Sequence, residues 1–247
     1  MSLAQDLDFS GKRVLITGAA NGFGAATARE FAACGATLVL ADIEEMPLRA
    51  IAADLKAASV HVYDQSKTDS VAALAKAAGD VDVLFNNAGI LVAKPLLDTT
   101  IEDIQRLINV DLIGALHLMQ LVGRRMVERK RGVIVSVSSQ TAFCGAEGRG
   151  VYAAAKAAIS QLTRAAAVEW GPHGVRALCI APGRSLTRMT RETANPNYKG
   201  DRGLARVPLG RWGEASEIAK MVVFLASDAA SYVTGETVIA DGGYVLG

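Results

Sequence analysis

Tyr152 and Lys156 stand four residues apart, a spacing that puts both side chains on one face of a helix. The chemistry this pair offers is proton transfer. A free phenol has a pKa of ~10 and is only about 0.1% ionised at pH 7, but an ammonium within ~4–6 Å favours the phenolate and can lower that value by about 1–3 units. The spacing alone is not distinctive, because Tyr63 and Lys67 share it. What separates the two pairs is Ser139, 13 residues before Tyr152 and directly after a β-branched run, where the decoy has Ala50. A hydroxyl there can share a substrate oxygen with the phenol and stabilise developing charge.

A second constellation lies near the N-terminus. The first apolar run leads into Thr17-Gly18-Ala19-Ala20-Asn21-Gly22-Phe23-Gly24 and then a helical stretch. A strand, a glycine loop and a helix present free backbone amides at the positive end of a helix dipole, which suits a pyrophosphate. Glycines leave room for the phosphates and for close helix–sheet contact. The next run closes on Asp42, 18 residues past Gly24. A carboxylate there accepts hydrogen bonds from adenosine ribose hydroxyls and repels a 2′-phosphate. Arg29 is the one basic residue between Leu15 and Met46, so the expected cofactor is NAD rather than NADP. Asp64-Gln65 after the third run and Asn86-Asn87-Ala88-Gly89 after the fourth stand where adenine and ribose contacts would fall. Turn chemistry alone also favours such residues.

Positioning these groups requires a regular scaffold. Short β-branched runs at Lys12–Thr17, Thr37–Ala41, Val60–Tyr63, Val81–Phe85, Gly132–Val137, Val175–Ile180 and Thr237–Ala240 alternate with alanine-rich helical stretches such as Gly24–Cys34, Thr68–Ala78, Ile101–Arg129 and Tyr152–Trp170. Several runs are apolar nearly throughout, as strands buried on both faces of a parallel sheet must be. Thr99 with Glu102 fits a capping box for the third helix. The expectation is an α/β, doubly wound (Rossmann) seven-stranded parallel sheet with helices on both faces and right-handed crossovers. No linker or repeat divides residues 1–247, so one domain is expected. Residues Pro182 to Pro208 lack periodicity and read as a substrate lid over about 184–207.

Composition removes other classes. The chain has 247 residues, 51% hydrophobic, with 26 basic and 25 acidic side chains and a net charge of +1. It can bury a core, and it has no basic field for nucleic acid. Three scattered cysteines and three distant histidines suggest neither a disulfide framework nor a metal site. Met1–Ser10 does not read as a signal peptide, and no apolar run approaches the ~18 residues of a membrane span. A cytoplasmic protein is the expectation.

The motifs Thr17-Gly18-x3-Gly22-x-Gly24, Asp64, Asn86-Asn87-Ala88-Gly89, Ser138-Ser139, Tyr152-x3-Lys156, Pro182-Gly183 and Asp241-Gly242-Gly243 resemble, in order and spacing, the short-chain dehydrogenase/reductase family across essentially the whole chain. The resemblance implies hydride transfer between nicotinamide and an alcohol or ketone. Tyr152 would then be the acid/base, Lys156 its partner and Ser139 the substrate-oxygen ligand. It further implies cofactor contacts from Gly18, Asn21, Gly22, Phe23, Gly24, Asp42, Asp64, Gln65, Asn86, Ala88, Gly89, Ser185 and Thr187, with Tyr152 and Lys156 also touching the cofactor. It implies a homotetramer built on the helices Ile101–Arg129 and Tyr152–Trp170 and on the C-terminal strand. One place departs from the family. Its fourth catalytic residue, an asparagine in Asn-Leu-x-Gly, is here Asp111 in Asp111-Leu112-Ile113-Gly114, with Asn109 two residues earlier. An ionised Asp111 would hold the Lys156 ammonium and oppose the Tyr152 phenolate, so retained activity with an altered pH optimum is expected.

The substrate is less defined. Arg184, Arg188, Arg191, Lys199, Arg202 and Arg206 against Glu192 and Asp201 make the lid basic. That would suit an anionic substrate, but the neutral overall field favours a solvated surface or subunit ion pairs. Leu91, Gln140, Phe143, Cys144 and Glu147 follow strand ends near Ser139, and their mixed polarity suits a small alcohol such as a polyol, sugar derivative or hydroxy acid. Two alternatives are an NADPH-dependent 3-oxoacyl-carrier reductase, against which Asp42 speaks, and a non-catalytic dinucleotide sensor. A sensor would not need Ser139, Tyr152 and Lys156 intact.

Overall fold

The computed structural model describes residues 2–55, 58–185 and 204–247. The strands are β1 (Arg13–Thr17), β2 (Thr37–Asp42), β3 (Ala58–Val62), β4 (Val83–Asn86), β5 (Gly132–Val137), β6 (Val175–Pro182) and β7 (Thr237–Ala240). They form one sheet in the order β3-β2-β1-β4-β5-β6-β7, parallel throughout. The helices are α1 (Leu3–Asp6), α2 (Gly22–Ala33), α3 (Glu45–Asp54), α4 (Thr68–Ala78), α5 (Ile101–Ile108), α6 (Ala115–Arg129), α7 (Gly150–Trp170) and α8 (Ala215–Ala226).

Alternate strand residues supply the two core layers, because successive side chains leave a strand on opposite faces. Val14, Ile16, Leu38, Leu40, Val135 and Ile180 meet Phe31 of α2, Leu48 of α3 and Val222 of α8 on one side. Leu15, Val39, Leu84, Ile134 and Ala177 meet Val71 and Leu74 of α4, Met119 and Met126 of α6 and Ala166 of α7 on the other. This is the doubly wound sheet expected from near-continuous apolar strands. The chain order reverses between β1 and β4, and ligands bind such sheets in the crevice at that point.

Three local expectations are corrected. The capping box that opens α5 is Thr100 with Asp103, not Thr99 with Glu102: the Thr100 Oγ1 accepts from the Asp103 amide at 3.2 Å and Asp103 returns a bond to the Thr100 amide. Both frames carry Thr with an acid three residues on, and one-residue offsets of this kind are common at helix ends. The long helix Ile101–Arg129 is also not uniform, for Asn109–Gly114 forms a π-helical turn between α5 and α6. The extra residue in that turn re-aims its side chains. Gly114 is required there, because a Cβ would lie 2.0 Å from the Gln65 carbonyl oxygen. The third strand ends at Val62, so Asp64 stands beyond the sheet rather than at its edge. The lid expected over 184–207 lies largely outside the described residues. Among those described, no helix is long and apolar enough to cross a membrane.

Candidate active site

The crevice between the ends of β1 and β4 is built by backbone contacts that only glycine permits. Gly18 and Gly22 adopt φ of +64° and +53°, the left-handed region that β-carbons disfavour. A Cβ on Gly24 would sit 2.0 Å from the Gly18 carbonyl oxygen. Thr17 ties the two strand ends together, its Oγ1 accepting from the amides of Asn87 and Ala88 at 3.0 Å each. Asn87 Nδ2 donates to the carbonyls of Thr17 at 2.8 Å and Gly18 at 3.2 Å. The helix α2 opens at Asn21 without a side-chain cap, which leaves its first amides for another acceptor. Glycine cradle, uncapped helix and switch-point crevice together fit a dinucleotide.

Asp42 is nearly buried at the end of β2. Its Oδ2 accepts from the Ala20 amide at 2.9 Å and its Oδ1 from the Glu44 amide at 3.0 Å. The carboxylate thus fastens the glycine loop to β2, and each oxygen keeps a further acceptor site. Arg29 turns to Asp54 at 3.6 Å, away from Asp42. Asp64 accepts from the Ser66 amide and hydroxyl and pairs with Lys67 at 3.4 Å. Those bonds and the Lys67 ammonium hold its carboxyl below the usual range. Gln65 is spent on structure: Nε2 donates to the carbonyls of Ala88 and Val110, and Oε1 accepts from Tyr63. Its buried side chain positions the β4 loop against the π turn. Asn86 Nδ2 donates to the Ala115 carbonyl, while its buried Oδ1 has no partner. Ser185 is buried after β6, and Thr187 lies outside the described residues.

The structure brings Ser139, Tyr152, Lys156 and Asp111 together. Ser139 follows β5, and its Oγ accepts from Thr141. Ser138 and Ser160 fix α7 to the end of β5. Ser138 Oγ donates to the Lys156 carbonyl at 3.0 Å, and Ser160 Oγ donates to Ser138 Oγ at 2.8 Å. Lys156 Nζ lies 5.6 Å from the Tyr152 ring centroid and 3.1 Å from Asp111 Oδ2. Asp111 Oδ1 accepts from the Ile90 amide at 2.7 Å. Lys156 and Asp111 are both buried, whereas Asn109 is exposed. The π turn therefore aims Asp111, not Asn109, at the lysine. A Cβ on Gly89 would come within 3.0 Å of Asp111 Oδ2 and 3.3 Å of Lys156 Nζ, so glycine there leaves room for the pair.

The electrostatics turn on burial. Lys156 pulls the Tyr152 phenol down and Asp111 opposes it, as expected. What the sequence did not show is that burial, the largest effect, outweighs Lys156, Ser139 and Arg149 and leaves the phenol raised. Burial likewise raises the Asp111 carboxyl, despite Lys156 and the Ile90 amide. Burial draws Lys156 down, but Asp111 and Tyr152 outweigh it and hold the ammonium charged. Sequence reasoning missed Arg149 altogether. It ends the loop just before α7, half-buried, and acts on Tyr152.

The comparisons with known proteins agree with this geometry. The family model described as Enoyl-(Acyl carrier protein) reductase matches residues 18–245. A 3-oxoacyl-acyl-carrier-protein reductase of Thermotoga maritima is 38% identical over 244 residues, covering 96% of this chain and 98% of its own. A meso-2,3-butanediol dehydrogenase of Serratia marcescens is also 38% identical, over 95% of each chain. A solved short chain dehydrogenase/reductase family protein superposes with a TM-score of 0.91 at 38% identity, covering 96% of this chain and 99% of its own. Matches of this extent, over a crevice of this build, make the chain a member of the short-chain dehydrogenase/reductase family.

Proposed function

We propose that this oxidoreductase uses NAD(H) to interconvert a small secondary alcohol and its ketone, with a polyol, sugar derivative or hydroxy acid as the substrate class. The observation that carries the reading is the convergence of Ser139, Tyr152 and Lys156 beside the glycine cradle. Gly18, Asn21, Gly22, Phe23 and Gly24 would hold the pyrophosphate, Asp42 the adenosine ribose, and Asn86, Ala88, Gly89 and Lys156 the nicotinamide half. When bound, the nicotinamide ring accepts or supplies the hydride and, oxidised, adds a positive charge that favours the phenolate. The Tyr152 phenolate removes the carbinol proton at the substrate oxygen, and the phenol returns it in reduction. The Ser139 hydroxyl donates to the same oxygen as charge develops. Lys156, kept charged by Asp111, stabilises the phenolate. Gln140 is buried and its Oε1 has no partner, which suits a neighbouring substrate hydroxyl.

An absorbance screen at 340 nm with polyols, hydroxy acids and secondary alcohols, run with NAD and with NADP, tests this. Turnover with NAD is expected, and failure with every alcohol would remove it. Asp42→Ala is expected to lower the NAD-over-NADP preference in kcat/KM about 10–100-fold, since a ribose acceptor and a phosphate-repelling charge go together. An unaltered ratio would leave Asp42 a loop fastener only. The relative of 3-oxoacyl-carrier reductase type supports the alternative substrate, and NADP preference in the same screen would favour it.

Asp111→Asn removes the charge that raises both Tyr152 and Lys156. Both groups then ionise at lower pH, so the rising limb of kcat/KM for oxidation moves toward acid. An identical pH profile would exclude the role given to Asp111.

We also read residues 1–247 as one catalytic unit, with the 184–207 segment as its lid, that assembles as a homotetramer. An apolar groove of about 650 Å³ between the π turn, α6 and α7, lined by Leu112, Ile113, Leu116 and Leu162, supports a second copy packing there. The free thiols of Cys34, Cys144 and Cys179 suit the reducing cytoplasm.

A further inference from the structure

Gln65 stands beyond β3, and its buried side chain spends its amide donors on main-chain carbonyls. Nε2 donates to the Ala88 carbonyl at 2.9 Å and to the Val110 carbonyl at 2.8 Å. Two acceptors on one side leave the amide a single orientation, because only its NH2 can face them. Oε1 accepts from the Tyr63 hydroxyl at 2.6 Å, and burial raises that phenol and keeps it protonated.

The two carbonyls belong to opposite walls of one contact. Ala88 lies two residues before Ile90, whose amide donates to Asp111 Oδ1 at 2.7 Å. Val110 directly precedes Asp111 in the π turn, where the extra residue disturbs the α-helical ladder and lets a carbonyl take an outside donor. A Cβ on Gly114, which ends that turn, would meet the Gln65 carbonyl oxygen at 2.0 Å and Gln65 Cγ at 2.7 Å, so Gln65 is seated in the turn itself. Asp111 Oδ2 lies 3.1 Å from Lys156 Nζ. One amide therefore spans the gap that the Ile90–Asp111–Lys156 contacts must close.

We infer that Gln65 is a positioning residue for proton transfer: its amide clamps the β4 loop to the π turn and so fixes the reach of Asp111 to Lys156. This rests on the reading of Tyr152 and Lys156 as the proton-transferring pair. Besides burial, the groups that act on Tyr152 are Lys156 on its own helix, Asp111 from the π turn, Ser139 after β5 and Arg149 ahead of α7, while Cys179 of β6 acts on Lys156. Of these, Asp111 alone belongs to a segment that Gln65 holds. Loosening Gln65 withdraws one negative charge and leaves the others in place.

Gln65→Met keeps the length of the side chain and loses its three hydrogen bonds. Hydrogen exchange without nucleotide reads the clamp. The Ile90 amide and the π turn are expected to exchange about tenfold faster or more, with α2 and α8 unchanged. In the alcohol assay the rising limb of kcat/KM for oxidation is expected to move about 1 pH unit toward acid, as when a negative charge leaves the neighbourhood of a phenol. In the Asp111→Asn background the same change should give no further pH shift, because the charge it displaces is gone. Gln65→Asn keeps the amide but shortens its reach, folds more readily, and should shift both readouts the same way by less. A wild-type pH profile in both variants overturns the inference, even with faster exchange at Ile90, and leaves the alcohol chemistry standing. Equal pH shifts with and without the Asp111 carboxylate overturn it too, for they place the effect elsewhere. A wild type that turns over no alcohol removes the reading of the site and the inference together.

Discussion

Tyr152→Phe is expected to lower kcat by about 10²–10⁴-fold, the range that a positioned acid/base contributes. Phe keeps the ring that packs beside Lys156 and loses only the oxygen, so the fold and the uptake of nicotinamide nucleotide should survive. A thermal melt with and without NAD separates the two effects: the ligand-induced rise in Tm is retained while turnover is lost. Burial and Asp111 both hold the wild-type phenol up, so oxidation should be faster at alkaline pH and reduction should tolerate neutrality. Activity of Tyr152→Phe within tenfold of wild type would place the proton transfer elsewhere.

Lys156→Met is expected to remove both activity and stability. It leaves Asp111 fully buried with no cation, and breaking a buried pair by deleting one partner costs about 3–5 kcal/mol. The pH dependence identifies the cause. Burial already raises the Asp111 carboxyl in the presence of the ammonium, and without it the carboxyl rises further. A group whose folded pKa exceeds its unfolded one stabilises below the unfolded value and loses that contribution as pH rises through the folded value. The variant should therefore be closest to wild type in acid and fall away toward neutral and alkaline pH in urea titrations. Adding Asp111→Asn removes the buried charge and should recover most of the stability at neutral pH without recovering turnover. A pH-independent loss in Lys156→Met, or no rescue in the double variant, would show that packing rather than charge holds this place together.

The asparagine-to-aspartate departure gives the pair its interest. A neutral amide near Lys156 would leave the ammonium to other partners, whereas Asp111 meets it at 3.1 Å and is itself held by the Ile90 amide. Ile90 follows Gly89 in the β4 loop, so the same carboxylate links the lysine to the wall of the cofactor crevice. Lysine charge and loop position are thereby set by one residue.

Much of this was open to reading before any coordinates. Local spacing is conserved by the geometry of a helix, so Tyr152 and Lys156 had to share a face. Near-continuous apolar strands have only one common solution, a parallel sheet covered on both sides, and glycines before a helix have few reasons to be spaced as Gly18, Gly22 and Gly24 are. Asp42 was legible as an acid at a strand end, and Ser139 as a hydroxyl after one.

Other features depend on contacts between segments far apart in sequence. At the π turn Asn109–Gly114, Gly114 passes close to the Gln65 carbonyl, a neighbour 49 positions away in the chain that no helical periodicity announces. Which of Asn109 and Asp111 faces Lys156 follows from that turn. The sign of the Tyr152 shift required knowing the depth of burial, for desolvation and a nearby ammonium oppose one another and residue types do not say which prevails. The Gln65 side chain ties loops together, its hydrogen-bond partners coming from Tyr63, the loop after β4 and the π turn, a set of contacts no local pattern announces. Arg149 passed unnoticed for the same reason. Its pull on the Tyr152 phenol depends on how the two are buried together, and short-range pattern carries no record of burial.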